Sequence, residues 1–169
     1  MEEWFPVVDE SGAVVDKATR RECHNGSFKL HPVVHLHILS PDGRILLQKR
    51  SMSKDIQPGR WDTAVGGHVD YGETVLEALH REVREELGII NFAPRQLVVY
   101  PFRSDKEYEL VNAYYWIAPA GFIPEFDPME IDDVKYWAVD EINQAAGSGV
   151  LTPNFEQEFN RVREILLTI

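Results

Sequence analysis

Three glutamates at one-turn spacing, Glu82, Glu85 and Glu86, constrain this chain more than any other feature of it. If their segment is helical, a step of about 100° per residue gathers all three within an arc of about 100°. Like charges one turn apart destabilise a helix, so the arrangement calls for a counter-charge, and a hard divalent cation with oxygen ligands is the natural one. The helix itself is well specified. Thr74-Val75-Leu76-Glu77 reads as a capping box, Gly88 supplies a left-handed stop, and Val75, Leu79, Val83 and Leu87 recur at the spacing of a buried stripe. Most glutamate-rich helices simply present a solvated acidic face; the residues flanking this one tip the balance toward a metal site.

From Gly67 to Ile89 the order is Gly67, five residues, Glu73, seven residues, Arg81-Glu82-Val83, one residue, Glu85-Glu86, one residue, Gly88-Ile89. At every fixed position it resembles the signature of the Nudix hydrolases, and the likeness extends over most of the chain, from about Arg20 to Ile142. The resemblance implies an α/β (α+β) fold, an α/β/α sandwich in which the box helix packs on a mixed sheet and holds a metal at the sheet's edge. It implies hydrolysis of a diphosphate bond, with Mg²⁺ or alternatively Mn²⁺ as cofactor. Carried over by position, Glu82, Glu85 and Glu86 bind the metal, with Glu82 as ligand or general base, and the backbone at Gly66 or Gly67 approaches it. Arg81 orients a catalytic glutamate, Glu73 supports the box, and Gly88 is structural. The chemistry suits these residue types, because water must be brought against an already anionic phosphorus, and metal ions with a carboxylate base both neutralise charge and orient the water.

A second resemblance lies outside the box, to isopentenyl diphosphate isomerase, a Nudix-fold enzyme whose metal is held by histidines and glutamates. The matching positions are His24, His31, His68, Glu107 and Glu109, and Arg20, Arg50 and Lys54 stand where that enzyme has basic residues for the substrate diphosphate. Two departures favour a hydrolase. The isomerase needs a catalytic cysteine immediately before the Gly-His pair, where this chain has Gly66, and its helix lacks the first two signature glutamates, which this chain keeps as Glu82 and Glu85. The expectation is an isomerase-like Nudix hydrolase that retains a second, histidine-containing metal site. Isomerisation is one alternative; a noncatalytic module that senses a nucleotide ligand is another, disfavoured by the intact box.

At 169 residues the chain fills one core, so residues 1–169 are expected to form one domain. Its net charge of −11 argues against nonspecific binding to nucleic acid or anionic membrane, so a phosphate ligand must be met by metal and local cations. Lys49, Arg50, Lys54 and Arg60, clustered just before the box, are the candidates, with Arg20. No apolar run approaches the ~20 residues of a membrane span. The acidic start Met1-Glu2-Glu3-Trp4 does not resemble a secretory leader, and Cys23 is the single cysteine, which together suggest a cytoplasmic protein. A small-molecule diphosphate is the expected partner, for a monomer or homodimer.

Along the chain, Phe5–Asp9 and Ser11–Val15 read as a hairpin, and His31–Leu39 as a strand with Pro32, Val34, Leu36 and Ile38 on one face. His35 and His37, on the other face, are read as residues of a wet sheet surface, and His80 as helix surface. Pro41-Asp42-Gly43 turns into a strand at 44–49, 55–59 is a loop, and a strand at 60–65 leads into the box. Further strands are expected at 96–102, 108–117 and 135–139, a short helix from Asp140, and a last helix at 154–167 opened by Thr152-Pro153. Trp61 and Trp137 are read as packing residues rather than base-stacking platforms. Specificity is expected in loops 51–60, 103–109 and 121–132; in the last, Glu130 and Asp132 read as a solvated acidic turn that could also supply a base.

Overall fold

The computed structural model describes residues 2–169. Its strands are β1 (Trp4–Val8), β2 (Val14–Thr19), β3 (Leu30–Leu39), β4 (Ile45–Arg50), β5 (Trp61–Thr63), β6 (Val65–His68), β7 (Arg95–Arg103), β8 (Tyr108–Ile117) and β9 (Ile131–Trp137). The helices are α1 (Arg20–Cys23), α2 (Val75–Leu87), α3 (Val139–Ala145) and α4 (Pro153–Leu167). β1 and β2 form a separate antiparallel hairpin, and the main sheet runs β5-β4-β3-β8-β7 with β6 on β3 and β9 on β4. β3 and β8 are parallel and the other pairs antiparallel, so the sheet is mixed as expected.

The layers follow from alternation along β3. Val34, Leu36 and Ile38 face α2 and pack with Leu79, Val83 and Leu87. Leu39, with Ile45 and Leu47 of β4, packs on the opposite side with Phe155, Phe159, Val162 and Leu166 of α4. An α/β/α sandwich results. Both ends of α2 are fixed as the sequence requires: Thr74 and Glu77 close a reciprocal capping box, and Gly88 takes φ 65°, where a side chain would be strained. Trp61 and Trp137 pack edge to face beside α4, 5.4 Å apart.

One departure from a regular sheet creates the site. β3 pairs with β4 only at Ile38 and Leu39; β4 then diverges, and β6 takes over that edge of β3 from Leu36 down to Val33. The sheet forks there. The expected strand at 60–65 is accordingly two strands broken at Ala64, and the expected strand at 135–139 begins earlier, at Ile131.

The reading of His35 and His37 as a wet face is overturned. His37 is buried, and both rings bond to the buried Glu158 of α4, because α4 covers that face of β3.

Candidate active site

A cavity of about 690 Å³ opens at the fork. β3 contributes Val33 and His35, β4 Gln48, β6 Gly66 to His68, and α2 Glu82, Glu85 and Glu86. The predicted carboxylates therefore converge, and the reason is local. Arg81 is the clasp: its Nε and Nη2 grip both oxygens of Glu73 at 2.7 and 3.0 Å, Nη1 donates to Glu82 at 2.8 Å, and Nη2 also reaches the carbonyl of His68 at 3.0 Å. A bidentate guanidinium fork of this kind fixes direction as well as distance. It ties the loop before the helix, the helix and β6 into one unit.

Gly67 is dictated by Glu82. A Cβ at position 67 would stand 2.2 Å from the carboxyl carbon of Glu82 and 2.6 Å from its Oε1. That carboxyl is the free end of a flexible side chain, so Gly67→Ala is expected to fold normally while pushing Glu82 off Arg81. Displacements of that size cost about 10²-fold in rate. Steady-state kinetics beside a melting curve check this; an unchanged kcat removes Glu82 from the reacting geometry.

Glu86 is the most enclosed of the three. Its Oε1 accepts from Gln48 Nε2 at 3.0 Å, while Oε2 is buried with no partner among the described residues. Burial pushes its pKa up to about 8. Burial also raises Glu82, against the pull of Arg81, whereas Glu85 is more than half exposed at the cavity's rim. A partnerless buried carboxylate oxygen beside two further carboxylates is a donor set that fits a hard cation such as Mg²⁺.

The second predicted cluster also assembles. One ligand nitrogen from each of His24, His31 and His68 lies within 4.8 Å of the others, and all three Nε2 atoms are buried and unpartnered among the described residues. Glu107 Oε1 is 3.5 Å from His24 Nε2, and Glu109 Oε2 is 4.0 Å from Nε2 of both His31 and His68. His31 Nδ1 donates to the carbonyl of Lys29 at 2.9 Å, which leaves Nε2 as the lone-pair nitrogen. Phe5 stacks on His68 at 4.7 Å and holds its plane. Burial lowers the pKa of all three histidines, keeping them neutral, and raises Glu109 to about 7. The donors fit a metal ion. His68 and Glu109 also line the cavity, so the two clusters share one chamber.

Of the basic candidates, Arg20, Arg50 and Lys54 line the cavity and Lys49 and Arg60 do not. Lys49 alternates away from Gln48 and Arg50 along β4, and Arg60 lies against Gly149, where its Nη2 is 3.7 Å from a would-be Cβ. Lys54 pairs at 2.8 Å with Glu130, itself mostly exposed at the cavity mouth. Cys23 is enclosed with Phe5 and Ala18, and burial pushes its thiol up to about 11. It stays protonated, and position 66 remains glycine.

A family model, the NUDIX domain, matches residues 29–155. The chain belongs to the Nudix hydrolase family. A Nudix hydrolase of Yersinia pestis is 30% identical over 172 residues, covering 95% of this chain and 92% of its relative. An isopentenyl-diphosphate Delta-isomerase of Pectobacterium atrosepticum is 28% identical over 142 residues, covering 82% of this chain and 78% of that enzyme. The crystal structure of a Deinococcus radiodurans protein superposes with a TM-score of 0.79 at 25% identity, over 95% of this chain and 99% of that one. Both resemblances read from the sequence thus recur in this Nudix hydrolase's relatives. No helix among the described residues is long and apolar enough to cross a membrane.

Sequence reasoning missed His35, Gln48, Asp62, Thr63 and Asn154 on the cavity wall, and Glu158 behind it. For Glu158 a signal existed: with Phe155, Phe159, Val162 and Leu166 it occupies the apolar stripe of α4, where a charge needs a partner.

Proposed function

We propose that this Nudix hydrolase is Mg²⁺-dependent and cleaves the diphosphate bond of a nucleoside diphosphate linked to another moiety, or of a similar small phosphorylated metabolite. The reading rests on one observation: a buried carboxylate oxygen of Glu86 without a partner among the described residues, in a cavity that also holds Glu82, Glu85 and the cationic side chains of Arg20, Arg50 and Lys54. Glu82, Glu85, Glu86 and the backbone of Gly67 would hold the ion. Bound Mg²⁺ would neutralise the diphosphate and lower the pKa of water. Arg81 positions Glu82, whose burial-raised pKa suits it to accept a proton from the attacking water. Arg50, Lys54 and Arg20 meet the phosphates; the partners of Arg20 and Lys54, Glu3 and Glu130, are exposed carboxylates that a phosphate can displace. The histidine cluster would hold a second metal. We take residues 1–169 as one catalytic domain, working on a small molecule in the cytoplasm.

Isopentenyl diphosphate isomerisation is the second reading, favoured by the assembled His24-His31-His68-Glu107-Glu109 cluster and opposed by Gly66 and the inert Cys23. One experiment separates them: phosphorus NMR of the purified protein with Mg²⁺ and a pool of nucleoside diphosphates, nucleotide sugars, dinucleotides and isopentenyl diphosphate. New monophosphate signals are expected, naming the substrate. Static phosphorus signals with a changing isopentenyl proton spectrum would make it an isomerase; a wholly static sample would leave a binding role. Elemental analysis of the same protein is expected to show metal that His31→Ala loses.

A further inference from the structure

The hydrolytic reading leaves one buried charged cluster unused. Glu158 is 1% exposed within the apolar stripe of α4, and both its oxygens are committed. Oε1 accepts from His35 Nδ1 at 2.8 Å and from the Tyr100 hydroxyl at 2.5 Å, and Oε2 from His37 Nε2 at 2.6 Å. Arg161 lies 4.1 Å over the Tyr100 ring. A carboxylate this deep is costly unless paired, and four side chains from two strands and a helix are arranged around it.

The members differ in what lies on their far side. His37 is enclosed against Phe155. His35 is not: it lines the same cavity as Glu82, Glu86 and Glu109, and its Cδ2–Nε2 edge runs beside Gly66, where a Cβ would stand 3.4 and 3.8 Å from those two atoms. A side chain at 66 would pack against this edge. Nδ1 is taken by Glu158, which leaves Nε2 for whatever occupies the chamber.

We propose that His35 is a substrate-contacting residue whose Nε2–H donates to a phosphoryl oxygen of a bound diphosphate, with Glu158 behind it as the positioning residue that sets the ring's angle. It rests on the hydrolase reading only in taking the ligand to be a diphosphate. Burial opposes charge on His35, but the Glu158 carboxylate outweighs it and holds the ring's pKa up at about 9, so at neutral pH both ring nitrogens carry protons. The chamber needs such a cation. Its wall carries the carboxyl groups of Glu82, Glu85, Glu86, Glu109 and Asp62, and two of its cations already hold partners that a phosphate must displace, Arg50 the carbonyl of Ile56 and Lys54 the carboxylate of Glu130. His35 supplies positive charge from the strand side, held there by Glu158 behind it and aided by Glu109 and Asp62 on the chamber wall.

The test uses the full chain, ¹⁵N-labelled, with Mg²⁺ and methylenediphosphonate, a diphosphate that cannot be hydrolysed. Long-range imidazole spectra follow each histidine, and His35→Gln identifies the signal of interest. His35 Nε2 is expected to move on saturation while His37, bonded to the same carboxylate but enclosed, stays still. His35→Gln is expected to bind the diphosphonate about tenfold more weakly, the loss of one charge-assisted hydrogen bond. A His35 signal that does not move, one that moves only in step with His37, or unchanged binding by His35→Gln overturns the proposal. The two readings fail separately. Hydrolysis of the substrate pool with a silent His35 removes the contact alone; a responsive His35 with no hydrolysis leaves the contact and removes the hydrolase.

Discussion

Glu86→Gln is expected to lower turnover on the order of 10³-fold while raising the melting temperature of the metal-free protein. The two effects have one cause. Glu86 is a carboxyl held where its charged form is unwelcome, with one oxygen on Gln48 and the other without a partner among the described residues. Its pKa of about 8, against an ordinary 4.5, means that folding at pH 7 works against this group by about 3 kcal/mol. Glutamine keeps the shape and can still accept from Gln48, so the apo fold gains. The same change deletes the anionic oxygen that a divalent ion requires, so Mg²⁺ affinity falls with turnover. Melting curves with and without Mg²⁺ read both: wild type should be strongly stabilised by the ion, the variant hardly at all. Wild-type turnover in Glu86→Gln with metal binding unchanged would show that the cation site is elsewhere.

How far the site was legible depends on how local its signal is. The capping box, the acid triplet and Gly88 are separated by helical spacing alone, so three-residue arithmetic recovers α2, its buried stripe and its acidic edge. Gly67 was marked by the family pattern, but its physical reason, a carboxyl resting on the strand backbone, appears only when α2 lies on β6. The fork was not legible. Nothing between Ile45 and His68 says that β4 leaves β3 after two paired positions, because β6 then takes that edge of β3 and β5 takes that edge of β4. Lys49 fell outside the cavity because it alternates away from Gln48 and Arg50 along β4, and Arg60 because the loop before β5 carries it against Gly149; proximity in sequence to the box settles neither. Glu158 shows the opposite failure. Its partners lie 123, 121 and 58 residues away, so the helix revealed an anomaly without revealing what answers it.

That cluster gives the second large effect, on stability rather than rate. Glu158→Gln is expected to cost about 3 kcal/mol near pH 6, roughly 10 °C in melting temperature, and progressively less as pH approaches 9. The sign follows from the proton count in each state. His35 has a folded pKa of about 9 against 6.5 unfolded, so its stabilisation is complete below 6.5 and is lost as pH rises through 9. Glu158 is held far below its ordinary 4.5, so the same attraction is present above 4.5 and fades in acid. The raw wild-type curve mixes in other groups: Glu86 and Glu109, both raised by burial, weaken the fold as pH climbs, and the depressed His24, His31 and His68 weaken it as pH falls below 6.5. Subtracting the variant's curve from the wild type's removes the terms that Glu158 does not reach; Glu109, on which both Glu158 and His35 act, leaves a smaller remainder. The difference should form a plateau from about 4.5 to 6.5 and decline on both sides. A difference independent of pH would mean that Glu158 acts through packing and that His35 carries no charge at neutral pH. In that case the chamber's strand side offers a diphosphate only a neutral imidazole, and the phosphate contacts fall to Arg20, Arg50 and Lys54 alone.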